Sequence, residues 1–195
     1  MEFITGQTRM CHTGYNGTWR LLDNQLFNYN GDVYIVPRNF YTDNYTIPNW
    51  IAWLGGSKGG RDVRPSHFHD FGCDFHAMVL LTVSLKQLRE EGLLRERLCD
   101  DGVVRLICDD LPLHYLRVVK FSKRQVDDML ADMMLATGNI TKSEAKKIRA
   151  GVFFNIGWLF SKHSMDYTRF YTGINDFKLK GKHDRDLCTC EQCHK

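Results

Sequence analysis

The pair Asn30-Gly31 lies between two short apolar segments, Leu26-Phe27 and Val33 to Val36. An Asn-Gly pair in this setting is the strongest short-range signal for a β-hairpin, because both turn positions need a positive φ. A further strand at Trp19 to Leu22 would complete a small antiparallel sheet, and Pro37 ends the pairing of the second hairpin strand. The N-terminal part of the chain is therefore predicted to form an antiparallel sheet.

Two capping-box pairs predict the starts of two C-terminal helices, Ser122 with Gln125 and Thr141 with Glu144. Gly138 is expected to end the first helix, because glycine readily adopts the left-handed conformation that terminates helices. The linker between the two helices is short, so they are expected to pack as an antiparallel hairpin. Their apolar faces contain Val126, Met129, Leu130 and Met133 in the first helix and Ala145, Ile148, Val152, Ile156 and Phe160 in the second.

The middle of the chain is predicted to contain a central helix, a short helix and a second hairpin. The central helix opens at Pro65 or Ser66, and a short helix runs from Ser84 to near Gly92. Asp101-Gly102 lies between two apolar runs and therefore predicts a turn between two strands. The apolar stripe of the central helix consists of Phe68, Phe71, Phe75, Met78 and Val79.

These elements predict an α+β fold in which a small N-terminal antiparallel sheet packs against a C-terminal helical hairpin and a central helix. A chain of 195 residues is long enough to bury about 70% of its unfolded surface in one domain. We expect a single α+β domain over residues 1–162, with an inserted segment at about 84–120. Residues 163–195 are expected to form a C-terminal extension with a cysteine-rich end.

Composition and charge argue against several classes of protein. The net charge of +3 arises from 26 basic and 23 acidic side chains, which is a mixed surface and argues against a dedicated nucleic-acid binder. The N-terminus lacks the pattern of a secretory signal, so we expect synthesis and folding in a cytoplasm. The longest apolar runs are far shorter than the roughly 20 residues of a membrane span. The glycine-rich loop at residues 55–60 matches no nucleotide-binding motif, so no nucleotide cofactor is expected.

The first candidate site consists of four polar side chains, Asp43, His69, Asp70 and Asp127. Carboxylate oxygens and imidazole nitrogens suit zinc, manganese or magnesium, which predicts a divalent metal held by Asp43, His69 and Asp127. Such a metal could activate a water molecule for hydrolysis, with Asp70 as an orienting group or general base. The structural alternative is that Asp43 caps a turn, His69 donates to it, and Asp127 pairs with a nearby arginine.

The second candidate site lies at the C-terminal end and consists of Cys188, Cys190, Cys193 and His194. Three thiolates and one imidazole form a good tetrahedral set for a single zinc ion. Zinc fingers and ribbons, however, use two paired knuckles, and only one compact cluster is present here. A cross-link to a neighbouring chain and a frayed tail are the two alternatives.

The remaining cysteines are scattered along the chain and are predicted to be small buried thiols. A reducing cytoplasm and an odd total of seven cysteines argue against a framework of disulfides. Cys73 lies near His69 and His76 and offers a nucleophile, but its phenylalanine-rich surroundings favour an inert thiol. The set comprises Cys11, Cys73, Cys99 and Cys108.

Three short motifs resemble a family of bacteriophage and prophage proteins known as domain of unknown function 1353. They are Phe40-x-Thr42-Asp43-x-x-Thr46-Ile47-Pro48, then His69-Asp70, then Ser122-Lys123 with Val126-Asp127 and Met133. The resemblance covers about residues 19–160. The chain has Thr46 where the family usually has serine, Val126 where it has alanine, and Phe71-Gly72-Cys73 where it has Tyr-Leu-Tyr.

The resemblance implies a phage gene product whose polar cluster comprises Asp43, His69, Asp70 and Asp127, but it implies no activity. We therefore expect a structural or accessory protein of the virion, in the neck or tail, that contacts other virion proteins as an oligomer. It would be made in the host cytoplasm and then enter the virion, with the inserted segment and the cysteine-rich tail as contact elements. The alternative is a metal-dependent hydrolase acting on the cell envelope or a nucleotide.

Overall fold

The computed structural model describes residues 1–6, 9–12, 19–42, 62–99, 102–147 and 149. Within these ranges it has a five-stranded sheet, a three-stranded sheet, a two-stranded ribbon and several helices. The predicted α+β class is therefore confirmed. The main sheet is larger than expected, because two of its strands come from the middle of the chain.

The main sheet is antiparallel throughout and has the strand order β1-β4-β5-β7-β10. Asn30 and Gly31, with φ of 55° and 94°, form the turn between β4 and β5, which confirms the first predicted hairpin. Pro37 directly follows the last residue of β5. The strands are β1 (Glu2–Phe3), β4 (Gln25–Tyr29), β5 (Asp32–Val36), β7 (Ala77–Leu81) and β10 (Leu116–Lys120).

The three-stranded sheet contains β2 (Met10–His12), β3 (Trp19–Leu21) and β6 (Tyr41–Thr42), in the order β2-β3-β6. The predicted strand near Trp19 exists, but the prediction that it extends the first hairpin is wrong. The backbone N–H of Leu21 donates to Phe40 O at 3.0 Å, and that of Asn39 donates to Leu21 O at 2.8 Å. These bonds hold β3 beside the segment that follows Pro37 and not beside β4.

The ribbon consists of β8 (Leu94–Leu98) and β9 (Val104–Cys108). Gly102 has a φ of 76°, and the hairpin predicted at this position is confirmed. The side-chain amide of Asn24 donates to the carbonyls of Cys108 and Asp109 at 3.3 and 2.7 Å, which anchors the base of the ribbon.

Four α-helices occur in the described ranges, α1 (Arg64–Phe75), α2 (Leu85–Glu90), α3 (Lys123–Ala136) and α4 (Lys142–Lys147), together with a 3-10 turn at Leu113–Tyr115. All three predicted capping residues are confirmed. Ser84 accepts the N–H of Gln87, Ser122 and Gln125 form a complete capping box, and Thr141 and Glu144 bond each other reciprocally. In this part of the chain no helix is long and apolar enough to cross a membrane.

The central helix is shorter than its predicted apolar stripe. It ends at Phe75, and His76 adopts a left-handed conformation with φ of 51°. Met78 and Val79 therefore lie in β7, which is buried on both faces. A short, fully apolar run fits a central strand and a buried helix equally well, so periodicity alone could not separate them.

Helices α1 and α3 pack against each other and against the main sheet. The rings of Phe27 and Phe68 lie 5.7 Å apart, and those of Tyr34 and Phe121 lie 5.5 Å apart. Ala145 of α4 joins a smaller apolar cluster with α3.

The predicted packing of the first C-terminal helix is confirmed, whereas Ile148, Val152, Ile156 and Phe160 lie outside the described residues. Residues 84–120, expected to be an insertion, supply β10 to the main sheet, and the predicted extension at 163–195 is also outside them.

Gly72 permits the close approach of α1 to α3. A Cβ atom at Gly72 would lie 2.9 Å from both methyl carbons of Val126 and 3.3 Å from Met78 Sδ. Alanine stabilises a helix by about 1 kcal/mol relative to glycine, but overpacking of a core destabilises the fold by about 1–3 kcal/mol. We therefore expect Gly72→Ala to lower the free energy of unfolding by about 1 kcal/mol in a urea titration.

Val126→Ala provides the control for that substitution, because it removes the two methyl groups that the new Cβ would meet. Alone it should lower the free energy of unfolding by about 2 kcal/mol through the cavity that it leaves. In the double variant the alanine at position 72 should partly fill this cavity. The combined loss should then be smaller than the sum by about 1 kcal/mol, and strict additivity would contradict the proposed contact.

Candidate functional site

The predicted polar cluster lies where α1 crosses α3, next to the end of β6. His69 and Asp70 belong to α1, Asp127 belongs to α3, and Thr42 ends β6. All four side chains are buried. Asp43 follows Thr42 in the chain and lies outside the described residues. The structure thus brings together three of the four side chains that the sequence analysis selected.

Both carboxylate oxygens of Asp127 are hydrogen-bonded. His69 Nε2 donates to Oδ1 at 3.2 Å, and Lys123 Nζ donates to Oδ2 at 2.5 Å. The cationic partner was expected to be an arginine and is in fact a lysine one helical turn earlier on α3. Its spacing of four residues from Asp127 was the signal that could have identified Lys123.

Asp70 connects α1 to the three-stranded sheet. Thr42 Oγ1 donates to Asp70 Oδ2 at 2.6 Å, and His69 Nδ1 lies 3.9 Å from Asp70 Oδ1. Sequence analysis did not select Thr42 as a site residue, although it stands beside Asp43 in the Thr-Asp motif. The bond from Thr42 places the carboxylate of Asp70 between two structural layers.

The surroundings of His69 favour its protonated form. Burial lowers the pKa of its imidazole, but the adjacent Cys73 sulfur and the hydrogen bonds to Asp127 and Asp70 outweigh this effect and raise the pKa well above its usual value. A protonated imidazole donates from both nitrogens and has no lone pair for a metal. His69 is therefore suited to bridging two carboxylates.

The metal predicted at Asp43, His69 and Asp127 has no complete ligand set in the described ranges, where no three His, Cys, Asp or Glu side chains are arranged to hold an ion. The ammonium of Lys123 already neutralises Asp127, and a metal beside it would meet a like charge. The third ligand of that prediction, Asp43, lies outside the described residues. The same holds for Cys188, Cys190, Cys193 and His194.

Cys73 is a buried free thiol, as predicted. Its sulfur lies 3.6 Å from His69 Nε2 and 4.0 Å from His69 Nδ1, so neither nitrogen is singled out as its partner. A nucleophile and its base share one directed hydrogen bond. Here the nearer nitrogen also lies 3.2 Å from Asp127 Oδ1, so His69 is shared between the Cys73 sulfur and the carboxylate, and the described geometry assigns no dedicated nucleophile and base pair.

Of the other scattered cysteines, Cys108 is buried and forms no disulfide bond, as predicted. Cys99 departs from the prediction because it is only half-buried. Cys11 is buried as predicted but forms a disulfide bond, so the prediction of a free thiol is wrong at this position. Disulfide formation depends on the distance between two Cβ atoms in the folded chain, which spacing along the sequence does not reveal.

A second buried polar pair links α1 to the main sheet. His67 Nδ1 donates to Gln25 Oε1 at 3.1 Å, and both side chains are fully buried. Burial lowers the pKa of His67 to about 4, although Asp70 and Asp62 act in the opposite direction. Two positions apart on one helix, the pKa of His67 is thus lowered and that of His69 is raised.

Comparison with known proteins leaves the function to be argued from this geometry. The chain matches no family model, no curated protein and no solved structure. The resemblance to phage proteins therefore depends on the motif residues named above. The polar cluster, the ribbon and the edges of the main sheet are the features from which a function can be inferred.

Proposed function

We propose that this protein is a structural or accessory component of a bacteriophage virion, in the neck or tail, and acts through contacts with other virion proteins. The observation that carries the proposal is the ribbon formed by β8 and β9. Three of the large apolar side chains exposed in the described part of the chain lie together at its tip, namely Leu98, Val103 and Val104. Contiguous exposed apolar side chains mark interaction surfaces in soluble proteins.

One face of the ribbon changes from buried to exposed along its length. Leu94 pairs with Cys108 at the base, and both side chains are buried in the core. Leu98 pairs with Val104 on the same face, and these side chains are 69% and 57% exposed. Between these two pairs, on the same face, the exposed Glu96 stands opposite Leu106, so the apolar pair at the tip is separated from the core by one acidic side chain. A partner that covered the tip would bury Leu98 and Val104 in an interface of its own.

The opposite face of the ribbon is basic. Arg97 stands directly across from Arg105, and Arg95 pairs with Asp109 at 2.8 Å near the base. An acidic surface on the partner would complement this basic face and would add orientation to the apolar contact.

The polar cluster supports a structural role over the hydrolase alternative. A metal-dependent hydrolase needs an open metal position in an accessible cleft. Here Asp127 is bonded on both oxygens, one of them by His69, and the three site residues are at most 7% exposed. The cluster joins α1, α3 and β6, which is the arrangement expected of a buried polar network that holds a fold together.

The contact between Gly72 and Val126 supports the resemblance to phage proteins. The family pattern has leucine at the position of Gly72 and alanine at the position of Val126. The chain therefore has a smaller side chain on α1 and a larger one on α3, and these two residues touch. Opposite volume changes at contacting positions preserve the packing of two helices.

The proposal is tested by examining virus particles of the phage or prophage that encodes the chain. Wild-type protein should be present in gradient-purified particles, and its absence would contradict the proposal. The double variant Leu98→Ser/Val104→Ser should fold with an unchanged melting temperature, because both side chains are exposed. Its amount in particles and the infectious titre should fall at least tenfold.

A matched control is Leu113→Ser, which makes the same kind of change at an exposed side chain outside the ribbon. This variant should enter particles at the wild-type level. If the ribbon variant did so too, the tip would not be the contact surface. If both variants were lost equally, the result would be explained by the placement of serine at any exposed apolar position.

A further inference from the structure

The outer edge of β10 offers a second contact surface, at the end of the main sheet. Strand β10 pairs with β7 on one side and is the last strand of the sheet order. The opposite edge of the sheet is β1, which has only two residues. Strand β10 has five. A long, exposed edge strand is a template for pairing with another strand.

Backbone hydrogen bonding shows which groups of β10 face outward. The N–H of Thr82 donates to Tyr115 O, and the N–H of Phe121 donates to His76 O. In an antiparallel pair the bonded positions alternate, so the odd-numbered residues of β10 bond to β7. The N–H and C=O groups of Leu116, Val118 and Lys120 therefore point away from the sheet. In the described part of the chain these outward groups have no protein partner.

The side chains on this edge are suited to pairing with themselves. An antiparallel copy centred on Val118 places Val118 opposite Val118 of the second copy, Leu116 opposite Lys120 and Arg117 opposite Val119. No like charges are directly opposite in this register, and an apolar pair lies at the centre. Val118 is 43% exposed, so its burial would be a net gain.

The same reasoning argues against self-pairing through β8, the outer strand of the ribbon, whereas the outer edge of β9 already accepts the N–H of Gly6 at Leu106 O. The N–H of Cys99 donates to Val103 O and that of Asp109 donates to Leu93 O, so the even-numbered residues of β8 face outward. Self-pairing centred on Glu96 would place two glutamates opposite each other and Arg95 opposite Arg97. Like charges in these positions are destabilising. The two exposed edges thus differ in the partner that they can accept.

We propose that two copies of this chain pair through β10 about a two-fold axis at Val118, and so form one continuous sheet from the five strands of each copy. Val118 of each copy donates its N–H to the carbonyl of Val118 in the other. On each side of this pair, Leu116 of one copy and Lys120 of the other add further backbone bonds. This inference stands apart from the virion proposal. It leaves the ribbon of each copy available for a different partner.

Light scattering after size exclusion tests the proposal on the full chain, with and without dithiothreitol. Wild-type protein should have twice the monomer mass in both conditions. Val118→Pro removes an outward N–H while leaving every bond between β10 and β7 in place, and it should raise the dimer dissociation constant at least tenfold. Val118→Thr keeps the N–H and the β-branched shape and should remain a dimer.

Val118→Lys is a second variant that keeps the whole backbone and places two ammonium groups at the axis. It should weaken the dimer even if the proline variant failed to fold. A monomeric wild-type protein at about 100 μM, the concentration scale of a weak dimer, would overturn the proposal. A dimer that Val118→Lys leaves unchanged, or that dithiothreitol alone dissociates, would also overturn it. None of these three results would bear on the presence of the protein in virus particles.

Discussion

Replacing Asp127 with asparagine is expected to lower the free energy of unfolding by about 3 kcal/mol. The carboxylate is buried and accepts hydrogen bonds from Lys123 and from protonated His69. Its neutralisation leaves two cations near each other without their shared anion, and removing one partner of a buried ion pair typically costs about 3–5 kcal/mol. Urea unfolding at pH 6.5 measures the change.

Asp128→Asn is the matched control, one residue further along α3. Asp128 lies 3.9 Å from Arg124, whose side chain is 88% exposed, and exposed pairs contribute about 0–1 kcal/mol. The control should change the unfolding free energy by less than about 0.5 kcal/mol. Equal effects of the two substitutions would mean that the buried cluster does not stabilise the fold.

The loss caused by Asp127→Asn should shrink as the pH rises. The pKa of His69 is raised in the folded state, so its charge stabilises the fold fully below the ordinary histidine pKa of about 6.5. This stabilisation is lost as the pH rises through the higher folded value. The difference between wild type and variant should therefore narrow in alkaline solution to the part that Lys123 contributes, and a constant difference would show that His69 is not the partner that matters.

Acidification from pH 6.5 to pH 4 is expected to cost about 3 kcal/mol of stability through His67 alone. The pKa of this buried imidazole falls from 6.5 to about 4 on folding, and each pKa unit corresponds to about 1.4 kcal/mol. Because the folded pKa is the lower one, the stabilisation is present above 6.5. It is lost as the pH falls toward the folded value.

His67→Gln isolates this contribution, because an amide can still donate to Gln25 and does not titrate. The free energy of unfolding of the variant should fall less steeply between pH 6.5 and 4 than that of the wild type. His114→Gln, at an exposed position, should leave the wild-type slope unchanged. A variant slope equal to that of the wild type would refute the role assigned to His67. The pH range in which His67 changes stability lies below that of His69, so the contributions of the two histidines can be measured separately.

Their opposite behaviour follows from the positions of the two side chains on α1. His67 faces the main sheet and meets the neutral amide of Gln25, so burial dominates its pKa. His69 faces α3 and lies beside Cys73 and between Asp127 and Asp70, so its interactions with these three side chains outweigh the effect of burial and raise its pKa. We expect maximal stability between the two windows, where His67 is neutral and His69 is charged.

Turns and helix caps could be predicted from the sequence because they depend on interactions within a few residues. The Asn30-Gly31 turn depends on the φ values that two residues tolerate, and the helix starts at Ser84, Ser122 and Thr141 depend on bonds to residues three positions later. The pair His69 and Asp127 was also selected, but as two motif positions. The spacing of four residues between Lys123 and Asp127 on one predicted helix was the local signal for the ion pair that completes it.

The tertiary structure alone decided which strands share a sheet and which polar groups meet. The strand at Trp19 joined β6 and not the first hairpin, Met78 and Val79 joined a strand and not a helix, and Thr42 reached Asp70 across two layers. Each outcome depends on burial and pairing between segments far apart in the chain, where many arrangements satisfy the same local preferences. The sequence by itself thus determined the turns, the caps and the α+β class. The charge state of each buried histidine and the exposed edge of β10 exist only once those segments have packed.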